Sequence, residues 1–207
     1  MIAVVDIGLG NLQSVCWACA HVGAKVCVAA QPSDLKGCSA IILPGVGAFG
    51  DGMRQLRQRG FVDALCQAVA WGMPLLGICL GMQLLAEVSE EYGLHPGLGL
   101  IKGHVTRLKP SHNGERVPHI GWCDVALTKN ESVLFRNIPT GVPFYFAHSY
   151  ALACSEESDV GARIFFGSRL VTAAIERGNL FGVQFHPEKS QDVGLELLHN
   201  FWLFSRQ

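Results

Sequence analysis

The sequence has no surplus of charge of either sign: 16 lysines and arginines stand against 17 aspartates and glutamates in 207 residues. A chain so balanced has no electrostatic pull toward a phosphate backbone or an anionic membrane surface, which argues against nucleic acid as a partner. Charge is also sparse, at 16% of residues against 49% hydrophobic, which leans toward a large core and an uncharged contact surface. No apolar run reaches the roughly 18 residues that a membrane-spanning helix needs. Residues 1–6 lack the basic lead and long apolar stretch of a signal peptide, so a cytoplasmic location is expected. Length favours one compact domain over residues 1–207.

Several site types are missing as well. The eight cysteines occur in a chain with no secretory signature, so reduced thiols are expected rather than a disulfide scaffold. Cys16 and Cys19 form the one CxxC, in a stretch with helical apolar spacing, and neither a second CxxC nor a nearby His completes a zinc site. They read as small buried hydrophobes, and no metal or cofactor is expected. The glycines of DIGLGN (6–11) lack the third glycine of a dinucleotide fingerprint, and LPGVGAFGDG (43–52) lacks the Lys-Ser/Thr of a P-loop.

What is present is a series of short apolar runs bounded by Gly and Pro: IAVVD (2–6), AKVCVA (24–29), AIILPG (40–45) and PLLGI (74–78). Such runs read as strands buried on both faces. Residues 11–22 and 53–71, with apolar positions three and four apart, read as the helices between them. LGMQLLAEV after the fourth run also looks helical. Strand alternating with helix predicts an α/β fold with a central, mostly parallel sheet. The second half, with partial alternation at 103–108, 123–127, 143–150 and 162–167, predicts an antiparallel extension. LFGVQF (180–185) is a last strand before a final helix, for which Ser190 is the expected N-cap and Leu197, Leu198, Phe201 and Phe204 the apolar stripe.

Three motifs close such runs. In GICLGMQ (77–83), Cys79 falls on a strand-to-helix turn with small residues, Gly77 and Gly81, two before and two after it, the spacing a strained nucleophile turn requires. The amides of the following helix would favour a thiolate there, and Leu80 N–H is placed to donate to an oxyanion. In FHPEKS, His186 can hold and return a proton, and Glu188, two residues on, can orient the imidazole if the stretch is extended. In PGVGAFG, Gly45, Gly47 and Gly50 permit the close backbone approach that a second oxyanion donor needs. Each motif alone also fits a buried thiol, a surface His–Glu pair or a plain turn; their joint position at strand ends, where open α/β sheets place their sites, favours the chemical reading.

PGVG, GICLGMQ and FHPE, in this order, resemble the class I glutamine amidotransferase family over nearly the whole chain. The resemblance implies a flavodoxin-like class I glutaminase fold with Cys79, His186 and Glu188 as triad. It also implies oxyanion donors at Leu80 and at Val46 and Gly47, and glutamine contacts at Gly47, Gln83, His148, Ser149 and Tyr150, the last two through their backbones. DIGLGNLQSV, PHIGW, YFAHSY and HPEKSQ resemble, within the family, the glutaminase subunits that feed a (β/α)8-barrel synthase of histidine biosynthesis. For that branch a heterodimer is implied, with Asn11, Trp122, Tyr145 and Lys189 at the interface. Trp122 reads equally well as a core aromatic. Cys123 departs from the pattern, since relatives usually carry Asn after Gly-Trp.

Three rival readings remain open on sequence: a glutaminase serving another synthase, such as one making amidino sugars; a non-catalytic interaction subunit; and a cysteine peptidase, since Cys-His-carboxylate also serves peptide acyl transfer.

Overall fold

The computed structural model describes residues 1–111 and 115–206. The first four strands are β1 (Ile2–Val5), β2 (Val26–Ala29), β3 (Ala40–Gly45) and β4 (Leu75–Cys79). They are followed by β5 (Ala86–Ser89), β6 (His95–Pro96), β7 (Ile101–Arg107), β8 (His119–Leu127) and β9 (Val142–His148). The last are β10 (Tyr150–Cys154), β11 (Val160–Phe166), β12 (Arg169–Arg177) and β13 (Leu180–Val183). Helices are α1 (Leu12–His21), α2 (Phe49–Gln58), α3 (Phe61–Ala70), α4 (Leu80–Leu84) and α5 (Gln191–Phe204).

Among the described residues one sheet runs β2-β1-β3-β4-β13-β12-β11-β8-β9. Its first five strands are parallel and the rest antiparallel, so the expected antiparallel extension is continuous with the parallel half. β1, β3, β4 and β13 are buried on both faces because each face has its own core, while the edge strand β2 is partly exposed. Ile2, Val4, Ile42 and Ile78 pack with Leu197, Leu198 and Phe201 of α5. Ala3, Val5, Ile41 and Leu43 pack with Phe49, Met53, Leu56 and Leu65 of α2 and α3. This alternation is the period-two geometry of strands covered by helices on each side.

Four local readings are corrected. Residues 53–71 are two helices, not one, because Gly60 takes φ 73, which ends α2 and starts α3. The helix after β4 stops at Leu84, and residues 86–89 instead form β5 of a separate sheet, β10-β7-β5-β6. Residues 143–150 are the end of β9 and the start of β10, which belong to different sheets. Ser190 is the N-cap residue of α5 without a side-chain cap bond.

Candidate active site

The register places the three motifs side by side. Gly45 at the end of β3 pairs with Cys79 at the end of β4, and Ile78 pairs with Val183 at the end of β13. The loop of Val46 and Gly47, the cysteine and the His186 segment therefore leave the same edge of the sheet, the carboxyl edge where α/β folds bind their ligands.

Cys79 has φ 54 and ψ −110, a conformation that side-chain-bearing residues rarely adopt and that costs about 1–3 kcal/mol. The flanking glycines make it possible. A Cβ on Gly77 would lie 2.6 Å from the Met82 nitrogen, and one on Gly81 would lie 1.7 Å from the Leu43 carbonyl oxygen. The helix that follows is only five residues long, so its macrodipole is small and the expected help from it shrinks to local amides. Leu80, the first of those residues, has an N–H with no acceptor inside the helix.

His186 sits beyond β13 on a clamped backbone. Its N–H donates to Tyr145 O at 2.9 Å. The Ser190 hydroxyl donates to His186 O at 2.7 Å and accepts from Tyr145 N–H at 3.0 Å, which is why it does not cap α5. Phe185, fully buried, packs on Phe144 with ring centroids 4.1 Å apart. His186 Nδ1 is 2.8 Å from Glu188 Oε1, and the neighbouring Cys79 side chain favours the protonated form of the same imidazole. The His–Glu contact is made through a 3-10 turn at Pro187–Lys189 rather than an extended stretch. Burial pulls the imidazole pKa down, but the neighbouring Cys79 sulfur and the Glu188 carboxylate, which accepts from Nδ1, outweigh it and raise it to about 9. Glu188 is 3% exposed, and its second oxygen has no hydrogen-bond partner among the described residues.

A cavity of about 270 Å³ opens over the sulfur, lined by Val46, Gly47, Cys79, Leu80, Gln83, Glu91, His148, Ser149 and Tyr150, with Pro118, Ile120 and Ala147 at its side. Every oxyanion and glutamine-contact residue expected from sequence is on that lining. Gly47 has φ +101 and open space around its α-carbon, so it is needed for its conformation and not for clearance. The Tyr150 carbonyl is engaged inside the protein: it accepts from Gln83 Nε2 at 2.8 Å and from His148 Nδ1 at 2.9 Å. The Ser149 carbonyl accepts from Leu108 N–H. Burial lowers the His148 pKa to about 4, and His119 Nδ1 lies 3.3 Å from its Nε2.

Two residues on or beside this cavity were not anticipated. Glu91, from the turn between β5 and β6, accepts from Phe49 N–H at 2.7 Å and so caps α2 behind the Val46 loop. No motif marks it. Gln184 is fully buried and its Nε2 is 3.8 Å from Cys79 Sγ. A polar amide inside the run LFGVQF is a signal that could have been read.

The four residues expected at an interface separate into two groups. Trp122 is 48% exposed, which removes the core reading, and its ring meets Tyr145 edge-on at 6.0 Å. Lys189 Nζ lies 5.9 Å from the centre of the Tyr145 ring. Asn11 caps α1, accepting from Ser14 N–H at 3.3 Å. Cys123 is half-buried, with its sulfur 3.8 Å from Phe165 O. The loop of DIGLGN carries Gly8 and Gly10 at positive φ and packs on Gly45, with Asp6 bound by Arg59.

A buried cysteine on a strained turn, next to a histidine that a carboxylate holds, at the start of a helix and beneath a polar cavity, defines a thiol-dependent acyl-transfer fold and site. The model of the family Glutamine amidotransferase class-I matches residues 3–203, and the chain belongs to that family. It is 46% identical over 200 residues to "Imidazole glycerol phosphate synthase subunit HisH" of Thermosynechococcus vestitus, covering 97% of this chain and 95% of the relative. It is 47% identical over 203 residues to the protein of the same name from Sulfurimonas denitrificans, covering 97% of each. In fold it matches "Structure of PurLQS from Thermotoga maritima" (TM-score 0.77, 21% identity, 98% of this chain and 97% of that one). It also matches the "Trypanosoma brucei CTPS - glutaminase domain with bound acivicin" (TM-score 0.68, 20% identity, 99% and 92%).

Proposed function

We propose that this chain is the glutaminase subunit of an imidazole glycerol phosphate synthase, hydrolysing glutamine to glutamate and ammonia for a partner cyclase in histidine biosynthesis. Relatives of that name at 46% and 47% identity over nearly the full length support the assignment. We read it as one domain working in the cytoplasm.

In this reading the Cys79 sulfur attacks the side-chain amide carbon of glutamine, while His186, held by Glu188, keeps the proton. The oxyanion takes the Leu80 N–H and an amide of the Val46 and Gly47 loop. His186 gives its proton to the leaving nitrogen, so ammonia departs and a γ-glutamyl thioester remains on Cys79. Water then attacks, its proton passing to His186, and the carbon–sulfur bond breaks to release glutamate. Gly47, Gln83, His148, Ser149 and Tyr150 wall the substrate. With two of the nearby carbonyls already bonded, the Glu91 carboxylate is the group on that wall best suited to an α-ammonium.

The partner is read as a (β/α)8-barrel cyclase that docks over Trp122, Tyr145 and Lys189, with Asn11 close to the contact, and receives ammonia directly. The observation that carries the chemistry is the 2.8 Å contact of His186 Nδ1 with Glu188, the imidazole standing beside Cys79, whose side chain lines the cavity. Ammonia and glutamate release from glutamine, measured with and without the cyclase, tests it. Cleavage of an unfolded protein instead would point to a peptidase, and co-purification with a different synthase would move the client.

A further inference from the structure

Among the described residues, Gln184 is the side chain whose amide makes a hydrogen bond to the Cys79 sulfur. A buried amide loses its hydration and is retained only when its polar atoms are partnered. Here the partners form a chain whose direction is determined by its far end. The Tyr150 carbonyl can only accept, so the Gln83 amide must turn its NH2 toward it. The same NH2 donates to Gln184 Oε1 at 3.0 Å. That leaves the Gln184 NH2 for the sulfur, at 3.8 Å. The order Tyr150 C=O, Gln83, Gln184, Cys79 admits no reversed arrangement, because reversal would set two acceptors against each other.

A donor aimed at sulfur has different effects on the two halves of the reaction. During attack the sulfur loses negative charge, and the contact weakens. In the thioester the sulfur is neutral and a poor acceptor. During hydrolysis the water oxygen bonds to the acyl carbon, His186 takes the water proton, and the electron pair of the breaking carbon–sulfur bond returns to sulfur. Only there does a hydrogen bond strengthen toward the transition state, and only such a bond accelerates a step.

We propose that Gln184 is a catalytic residue of deacylation, its amide N–H stabilising the Cys79 sulfur as it leaves the glutamyl thioester, and that Gln83 is the positioning residue that orients it. The proposal rests on Cys79 being the nucleophile.

The test is rapid acid quench of glutamine turnover by the protein in complex with its cyclase, with the fraction of Cys79 carrying a glutamyl group read by mass spectrometry. Gln184→Met removes the donor at similar size, and Gln184→Glu keeps the shape if the methionine variant fails to fold. The expected result is deacylation slowed about tenfold, with acylation little changed. The thioester then accumulates, and kcat and KM fall together. Gln83→Met shifts deacylation the same way by less. A slowed acylation without thioester build-up, or an unchanged deacylation rate in the glutamate variant, overturns the proposal. A wild-type enzyme that turns over with no glutamyl group ever on Cys79 would instead refute the nucleophile assignment.

Discussion

The α-carbon of Gly81 faces the carbonyl oxygen of Leu43 so closely that a methyl group on it would lie 1.7 Å from that oxygen. Backbone is in contact with backbone at this point, and nothing flexible can give way. Gly81→Ala is therefore expected to lose at least about 3 kcal/mol of stability, the upper range for overpacking. Gly77→Ala, which would press a methyl on the Met82 nitrogen, should behave similarly. Urea unfolding of both variants checks this, with Gly37→Ala, at a position with no neighbour within 4 Å but φ +77, as the control for backbone strain alone.

The His186 imidazole holds its proton to about pH 9 because of Cys79 and Glu188. In the proposed mechanism its proton is the one delivered to the leaving nitrogen, so kcat/KM should fall on the alkaline side with a midpoint near that value. Glu188→Gln removes the stabilising carboxylate, and the midpoint should move down toward the ordinary histidine range. A pH–rate profile of the two proteins measures the shift.

His148 behaves in the opposite sense. Burial depresses its pKa from 6.5 to about 4, so the folded protein holds it neutral and its contribution is present above pH 6.5. That contribution is lost as pH falls toward 4, by about 3 kcal/mol over the interval. His148→Gln should flatten the acid limb of a stability–pH curve.

Trp122 is half-exposed against Tyr145, and Lys189 stands over the same ring. If this cluster meets the cyclase, Trp122→Ala should weaken the complex by about 2 kcal/mol, roughly thirtyfold in Kd, without altering the unfolding free energy by more than a few tenths of a kcal/mol. Calorimetric titration against the cyclase gives the first figure and urea unfolding the second.

How much of this was readable from sequence follows from the range of the forces involved. Ala40–Gly45 was bounded to the residue, because apolar content and flanking turns are local signals. The placement of Cys79, His186 and Glu188 has a different reason: Cys79 closes β4, the His186–Glu188 segment follows the end of β13, and strand ends of an α/β sheet converge on one edge. The break at Gly60 was not legible, because an isolated glycine inside a helical pattern is often tolerated and only its φ shows which outcome won. The sheet of β5, β6, β7 and β10 stayed hidden because AEVS has no period of its own and becomes a strand through its pairing with β6 on one side and with the more distant β7 on the other. Gln83 lies on the cavity lining as the resemblance implies, and its NH2 is in addition shared between Tyr150 and Gln184, partners a motif cannot reveal. Ser190 was read as a cap, but its hydroxyl joins the His186 and Tyr145 backbones.

The central claim is that the sulfur at Cys79 forms the covalent bond to substrate with His186 as its proton partner. Glutamine hydrolysis by Cys79→Ala in complex with the cyclase tests it most directly. The account predicts at least about a thousandfold loss with folding and complex formation intact, and a comparable loss for His186→Asn. A Cys79→Ala protein that still turns over glutamine at about a tenth of the wild-type rate or faster would contradict it.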